Sequence, residues 1–189
     1  MKKGLIILVC VVAAILILVV PIVSGYNGLV SKEESVKTAQ SEISNQLQRR
    51  ADLIPNFVST VKGYSDYEKE TYTAVTEARS AVAKASSASE QAKAADQLDG
   101  AISVWVNAIT EAYPDLKANE QYVALTDELA GTENRIATAR RDYNDSAKEY
   151  NTAIRKFPKN ILAGIFGFDK VDYFENTEGS NSVPQVSFD

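Results

Sequence analysis

The sequence contains no histidine and a single cysteine, Cys10, among its 189 residues. Without histidine there is no imidazole general base, no Ser-His-Asp triad, no Cys-His zinc site and no Glu-x-x-His motif for a di-iron centre. A lone cysteine cannot form a disulfide within the chain, and a Gly-rich phosphate loop followed by lysine is also missing. We therefore expect a protein that is not an enzyme, with no catalytic, cofactor-binding or metal-binding residues.

Positive charge and helix-breaking residues are also scarce. The net charge is −5, which argues against nucleic-acid binding because such surfaces are basic. From Tyr26 to Lys156 the chain is rich in Ala, Glu, Lys, Gln and Ser, and few glycines or prolines interrupt it. No stretch there alternates apolar and polar residues as strands do. This composition predicts an all-α protein.

The longest apolar run extends from Gly4 to Val23 without a charge. Its 20 residues span about 30 Å as a helix, which matches the hydrocarbon thickness of a bilayer. A cleaved signal peptide is the alternative, but its apolar region is shorter and ends at a small-x-small cleavage site. Here Pro21-Ile22-Val23 closes the run instead. We therefore predict a single-pass transmembrane anchor over residues 1–25.

The orientation of this anchor follows from the charges that flank it. Lys2, Lys3 and the terminal amine precede the run, and the first basic residue after it is Lys32. Positive residues favour the cytoplasmic side of a membrane. The helical domain is therefore predicted outside the cytoplasm, with a cytoplasmic domain as the alternative.

Helix 1 is predicted to continue from the membrane to about Gly63, and helix 2 to open with the capping-box pattern Ser65-x-x-Glu68. Apolar residues at steps of seven, four and three define the buried face of helix 1. These residues are Leu29, Val36, Ile43, Leu47, Ile54, Val58 and Val61.

Helices 3 and 4 are bounded by prolines. Helix 3 is expected from about Glu90 to Tyr113-Pro114, and helix 4 from about Lys117 to Lys156, ahead of Phe157-Pro158. Helices 2 and 3 are the shorter pair, and short connections make neighbouring helices antiparallel. We predict an up-and-down antiparallel four-helix bundle of coiled-coil type over residues 26–157, with the end of helix 4 close to the membrane.

The last segment, residues 158–189, is predicted to be an irregular tail rich in apolar and aromatic residues. It either docks on the parts of helices 1 and 4 that the shorter helices leave uncovered, or touches lipid head groups as an interfacial segment. Docking is favoured because exposed apolar patches of this size are unusual on soluble surfaces, and the two contacts are compatible. The candidate membrane-proximal residues are Arg155, Lys156, Lys159, Ile165, Phe166 and Phe168.

Polar residues concentrate in Arg49-Arg50-Ala51-Asp52, beside Pro55, and along helix 4. Forked arginine donors suit a pocket that binds a small anion or a peptide. Alternatively, the same residues form a buried polar network that fixes the register of the helices, which we favour because bundle interiors often contain such a device. The candidates are Arg49, Arg50, Asp52, Arg79, Glu133, Arg140, Tyr143, Asn144, Tyr150 and Asn151.

Several segments resemble the LemA family. They include "QLQRRADLIPNFVSTVKGY" in helix 1, "AYPDLKANEQY" before helix 4, "ELAGTENRIATARRDYNDSAKEYN" within it, and "LAGIFGF" and "VPQVSF" in the tail. The resemblance implies a bacterial membrane-anchored protein with an up-and-down four-helix bundle and no settled biochemical activity. It also implies a short N-terminus outside the cell, which is opposite to the orientation that the flanking lysines predict.

These features predict a membrane-anchored, non-enzymatic interaction or scaffold protein of the bacterial envelope. Its expected partners are membrane lipid, through residues 4–23, and a protein of unknown identity, whereas no nucleic-acid partner is expected. Self-association is left open by the Ala-rich face of helix 2. One alternative is a membrane-organising protein that uses its anchor and an interfacial tail. A lesser alternative is a small-ligand sensor with a polar pocket between helices.

Overall fold

The structure, a computed structural model, describes residues 2–61 and 69–174. All regular secondary structure in these two ranges is helical, so the all-α prediction is confirmed. The described residues contain five α-helices and a short 3₁₀ helix at Pro114–Ala118. The α-helices are α1 (Lys2–Val61), α2 (Lys69–Lys84), α3 (Ala88–Ala112), α4 (Glu120–Arg155) and α5 (Lys159–Phe166).

Helix α1 contains the apolar run and is long and apolar enough to cross a membrane. Every residue from Gly4 to Val23 is exposed in the structure. Pro21 and Pro55 both lie inside this continuous helix. The predicted end of helix 1 near Gly63 and the capping box at residues 65–68 lie outside the described residues.

Beyond the apolar run, α1 buries one face. Six of the seven predicted stripe residues are buried, but Val58 is only half-buried and Phe57 is fully buried instead. Buried positions on one face of a helix recur at alternating steps of four and three residues. Counted from Ile43, these steps pass through Arg50 and reach Phe57 rather than Val58. Arg50 therefore lies on the buried face of α1, among the apolar residues.

Helix α3 begins with a capping box that the boundary prediction overlooked. The Ser87 hydroxyl accepts from the Glu90 N–H at 3.2 Å, and the Glu90 carboxylate accepts from the N–H groups of Ser86 and Ser87 at 2.8 and 3.1 Å. These contacts satisfy donors that the first turn of a helix leaves free. The pattern Ser-x-x-Glu is visible in the sequence, and the helix therefore starts two residues before the predicted position.

The capping box predicts an acid-dependent loss of stability. Accepting the N–H groups of Ser86 and Ser87 lowers the pKa of Glu90 from 4.5 to about 2. A carboxyl group whose pKa is lower in the folded than in the unfolded state stabilises the folded state, and this stabilisation is complete above pH 4.5. The stabilisation disappears as the pH falls towards 2. We expect the melting-temperature difference between the natural chain and Glu90→Gln to shrink steadily from pH 6 to pH 2.5. A difference that stays constant across this range would contradict the assignment.

Helix α4 begins at Glu120 rather than near Lys117. Residues 114–118 instead form the 3₁₀ helix, and Asn119 then caps α4 by accepting from the N–H groups of Gln121 and Tyr122, each at 3.0 Å. At its other end α4 stops at Arg155, close to the predicted boundary before Phe157-Pro158.

The tail is not irregular throughout, because its first part forms α5. Leu162 and Ala163 are buried on one side of this helix. Gly167 ends it in the left-handed conformation, with a φ of 74°, and the Phe168 N–H donates to the Ala163 carbonyl at 3.0 Å. Residues 171–174, which follow, are not helical.

The described residues form two compact units. The anchor unit combines the chain up to Thr38 with Asp145–Val171, and it contains the apolar run and α5. The core unit combines the described residues between Ala39 and Asn144 with residues 172–174. Helices α1 and α4 contribute to both units, and α2 packs on α3 in the core unit. The predicted division into anchor, bundle and tail remains a prediction.

Candidate functional site

The most buried charge in the core unit belongs to Arg50, whose side chain is 3% exposed. Its Nη1 lies 2.5 Å from Oδ1 of Asp99 on α3, and its Nη2 lies 3.7 Å from Oε2 of Glu133 on α4. Burial raises the pKa of Asp99 above its usual range, and the positive charge of Arg50 opposes that rise. The three side chains form a charged cluster that connects α1, α3 and α4.

A second arginine of the core unit, Arg140 on α4, also faces an aspartate. Its Nη2 donates to Oδ1 of Asp96 on α3 at 3.0 Å, and its guanidinium carbon lies 5.1 Å from the centroid of the Phe174 ring. That distance is within the range of a cation–π contact. Neither Asp96 nor Asp99 is among the sequence candidates. Their three-residue spacing in an otherwise Ala-rich part of α3 is the signal that would have found them.

The remaining charged candidates of the core unit lie at its surface. Arg49 donates to Oε1 of Glu128 at 2.7 Å, and Arg79 lies 3.7 Å from Oδ1 of Asp52. Of the four residues in these two pairs, all except Glu128 are exposed. Exposed ion pairs contribute roughly 0–1 kcal/mol to the stability of a protein. The structure therefore separates Arg49 from its neighbour Arg50, which the sequence pattern treats as equivalent.

Two asparagines of α4 bind main chain rather than other side chains. In the core unit, Nδ2 of Asn144 donates to the Phe174 carbonyl at 2.9 Å, and its Oδ1 accepts from the Phe174 N–H at 2.7 Å. In the anchor unit, Asn151 makes the same pair of hydrogen bonds with Val171, at 2.8 and 3.0 Å. Each amide side chain thus satisfies both polar groups of one residue that follows α5.

The two candidate tyrosines of α4 are buried. In the core unit, Tyr143 donates from its hydroxyl to the Asp172 carbonyl at 2.8 Å. In the anchor unit, burial raises the pKa of Tyr150, and the nearby Glu33 and Asp169 raise it further. The ten polar candidates therefore belong to several separate groups of contacts. Within residues 2–61 and 69–174, no three or more His, Cys, Asp or Glu residues are grouped to hold a metal ion.

In the anchor unit, α5 packs on α1 directly after the apolar run. A Cβ at Gly25 would lie only 2.7 Å from Cδ1 of Leu162, so the close approach depends on glycine at this position. The neighbouring Tyr26 ring contacts two tail candidates edge-on, Phe166 at 4.9 Å and Phe168 at 5.6 Å between ring centroids. This contact fixes α5 beside the end of the predicted membrane span.

The opposite side of α5 is apolar but has no covering element in the described part of the chain. Phe157, which precedes α5, is 81% exposed, Ile165 is 68% exposed and Ile161 is about half exposed. Phe166 is also about half exposed, although its ring contacts Tyr26. Of the basic candidates, Arg155 and Lys156 are exposed at the end of α4, and Lys159 is half-buried at the start of α5. The predicted basic and aromatic residues thus lie together in one unit.

Residues 39–188 match the LemA family, which is most of the chain. Magnetosome protein MamQ 2 of Paramagnetospirillum magneticum is 26% identical over 203 residues, covering 93% of this chain and 75% of the relative. MamQ of Magnetospirillum gryphiswaldense is 28% identical over 189 residues, covering 85% and 70%. Protein LemA of Metamycoplasma hominis is 28% identical over 156 residues, covering 80% and 69%. The resemblance seen in the sequence is confirmed, and the chain belongs to the LemA family.

Proposed function

We propose that this chain is a membrane-anchored, non-enzymatic interaction or scaffold protein of the bacterial envelope, held to the bilayer by both α1 and α5. The observation that carries the proposal is the position of α5. It packs on α1 at Gly25, two residues after the apolar run ends, and leaves large apolar side chains exposed. Two elements that meet the bilayer at the same level would fix the orientation of the protein at the membrane surface.

The depth of α5 follows from the helical rise. Gly25 lies about 3 Å beyond Val23 along α1, which is at the boundary between the hydrocarbon core and the head groups. Burying an isoleucine or phenylalanine side chain contributes roughly 1.5–3 kcal/mol. The exposed side chains of Phe157, Ile161 and Ile165 would gain this stabilisation by entering the membrane interface. The Leu162 side chain packs on α1 instead. In this proposal the tail therefore both docks on the protein and contacts lipid.

The scaffold role concerns the helical body. We propose that the helical segments of the core unit form an up-and-down antiparallel bundle, which the ion pairs of α1 with α4 and of α3 with α4 support. The lack of histidine and the names of the relatives, which state no reaction, support a non-enzymatic role. The same proposal includes a protein partner and the division of the chain into anchor, bundle and tail. It also places the helical domain outside the cytoplasm.

Depth-dependent quenching tests the position of α5. A fluorophore is attached to Ile165→Cys in a full chain that also carries Cys10→Ala, and the protein is reconstituted into phosphatidylcholine vesicles. We expect strong quenching by lipids that carry a quencher near the top of the acyl chains. The control is Glu34→Cys, an exposed position about 16 Å beyond Val23 along α1, which should be quenched only from water. A label at position 165 that responds only to an aqueous quencher would contradict the proposal.

A further inference from the structure

We infer that the anchor unit contains a binding site for the head group of an anionic phospholipid, with the phosphate held by Lys156 and Lys159. The inference rests on the proposed function, because it assumes that α5 lies at the bilayer surface. It goes further by naming a ligand class and the side chains that bind it.

The site is a cavity of about 640 Å³ at the junction of α4 and α5, beside α1. Four lysines line it, namely Lys32, Lys148, Lys156 and Lys159, together with two acidic residues, Asp145 and Glu149. The lining therefore has two more positive than negative side chains (four minus two) in a protein whose net charge is −5. A positive cavity in an acidic protein favours an anionic ligand.

The acidic residues balance only part of the lysine charge, because Glu149 is paired with Lys32 and a single carboxylate, Asp145, remains beside Lys148, Lys156 and Lys159. The Nζ of Lys32 donates a hydrogen bond to the Glu149 carboxylate at 2.8 Å. This contact lowers the pKa of Glu149. Within the part of the chain that the structure describes, Lys148, Lys156 and Lys159 form no ion pair. An ammonium group is a point charge with three donors and is well suited to a phosphate oxygen.

The position of the cavity matches the level of lipid phosphates. The Nζ of Lys159 lies 3.3 Å from the point where Gly28 would carry a Cβ. Gly28 is five residues after Val23, or about 7.5 Å along α1. The head-group region of one leaflet extends roughly 5–8 Å beyond the hydrocarbon core, so the ammonium lies within that layer. Phe157, which is largely exposed, also lines the cavity.

A smaller cavity of about 380 Å³ adjoins the first and shares with it two lysines and two acidic residues, namely Lys32, Lys159, Asp145 and Glu149. Its lining adds the hydroxyl groups of Ser31, Ser35 and Ser146. Hydroxyl groups both donate and accept hydrogen bonds, which suits the hydroxyls of a glycerol head group. The cationic choline of a zwitterionic lipid has no hydroxyl, and the joint lining of the two cavities, with four lysines and two carboxylates, has a surplus of positive charge that disfavours it. Phosphatidylglycerol therefore fits this pair of cavities better than phosphatidylcholine.

The test uses the full chain in a non-ionic detergent, with thermal unfolding followed as short-chain lipid is added. A ligand that binds the folded state raises the melting temperature with its concentration. We expect dihexanoyl phosphatidylglycerol to raise it, and neither dihexanoyl phosphatidylcholine nor inorganic phosphate to do so at equal concentration. The double variant Lys156→Gln with Lys159→Gln should lose about tenfold or more in apparent affinity.

The matched control replaces two exposed lysines of the core unit, Lys93→Gln with Lys117→Gln, and should bind as the natural chain does. The single variant Lys156→Gln, at an exposed position, should show an intermediate loss even if the double variant folds poorly. Equal effects of the two lipids, a similar loss in both double variants, or a full effect of phosphate alone would each overturn the inference. Quenching at position 165 in phosphatidylcholine vesicles is independent of this result, because those vesicles contain no anionic lipid.

Discussion

Replacing Arg50 with alanine is expected to lower the free energy of unfolding by about 3 kcal/mol, whereas Arg49→Ala should change it by less than about 1 kcal/mol. The two arginines are adjacent, but their side chains are 3% and 57% exposed. Removing Arg50 leaves the carboxylate of Asp99 without its nearest counter-charge in a partly buried position. Removing Arg49 breaks only a surface pair with Glu128.

The pH dependence of this loss provides a second measurement. Burial already raises the pKa of Asp99, and the loss of Arg50 should raise it further. A carboxyl whose pKa is higher in the folded than in the unfolded state binds protons on folding, so the folded state regains stability as the pH falls. We therefore expect the penalty of Arg50→Ala to be largest near pH 7 and to shrink towards pH 5, as measured by denaturant unfolding in detergent.

The Arg50 variant also separates the two interpretations of the polar residues. A buried network predicts the loss of stability just described. A pocket for a small anion predicts a variant that unfolds like the natural chain but no longer binds the anion. An unchanged unfolding midpoint for Arg50→Ala would therefore contradict the network and favour the pocket.

Phe57→Ala is expected to destabilise the protein by about 3–5 kcal/mol. The Phe57 side chain is fully buried in the core unit, and its ring centroid lies 4.9 Å from that of Trp105 and 5.3 Å from that of Tyr122. Truncation removes the buried area, leaves a cavity and breaks two aromatic contacts. The Tyr122 hydroxyl is held separately by Thr110 at 2.5 Å, so the cavity would not simply collapse around it.

The natural control is the next residue, Val58, which is half-buried. Val58→Ala should cost about 1 kcal/mol or less, because it removes two methyl groups from a position that water already reaches in part. The pair of variants distinguishes the predicted stripe of α1, which passes through Val58, from the observed one, which passes through Phe57. A larger loss of stability in Val58→Ala than in Phe57→Ala would support the predicted stripe instead.

Much of the helical core is readable from seven-residue spacing. On α1 the buried residues Val36, Ile43, Arg50 and Phe57 lie seven apart, so the burial of Arg50 could have been predicted from its position alone. On α4 the buried residues Tyr122, Leu129, Ile136, Tyr143 and Tyr150 follow the same spacing. Glu133, one of the sequence candidates for the buried network, lies outside this spacing and is exposed.

Helix content, the apolar N-terminal helix and family membership follow from local sequence. Hydrophobic period, helix propensity and the length of an uncharged run act over a few turns, and so they are visible without knowledge of the fold. The contacts of the candidate site do not follow in this way. These contacts depend on which distant segments come together. Examples are the pairing of Arg50 with Asp99 rather than with another carboxylate, the hydrogen bonds of Asn151 with the main chain of Val171, and the packing of Leu162 on Gly25. Those pairings are decided by the packing of whole helices, because each partner is compatible with many others until the tertiary structure brings one of them into contact.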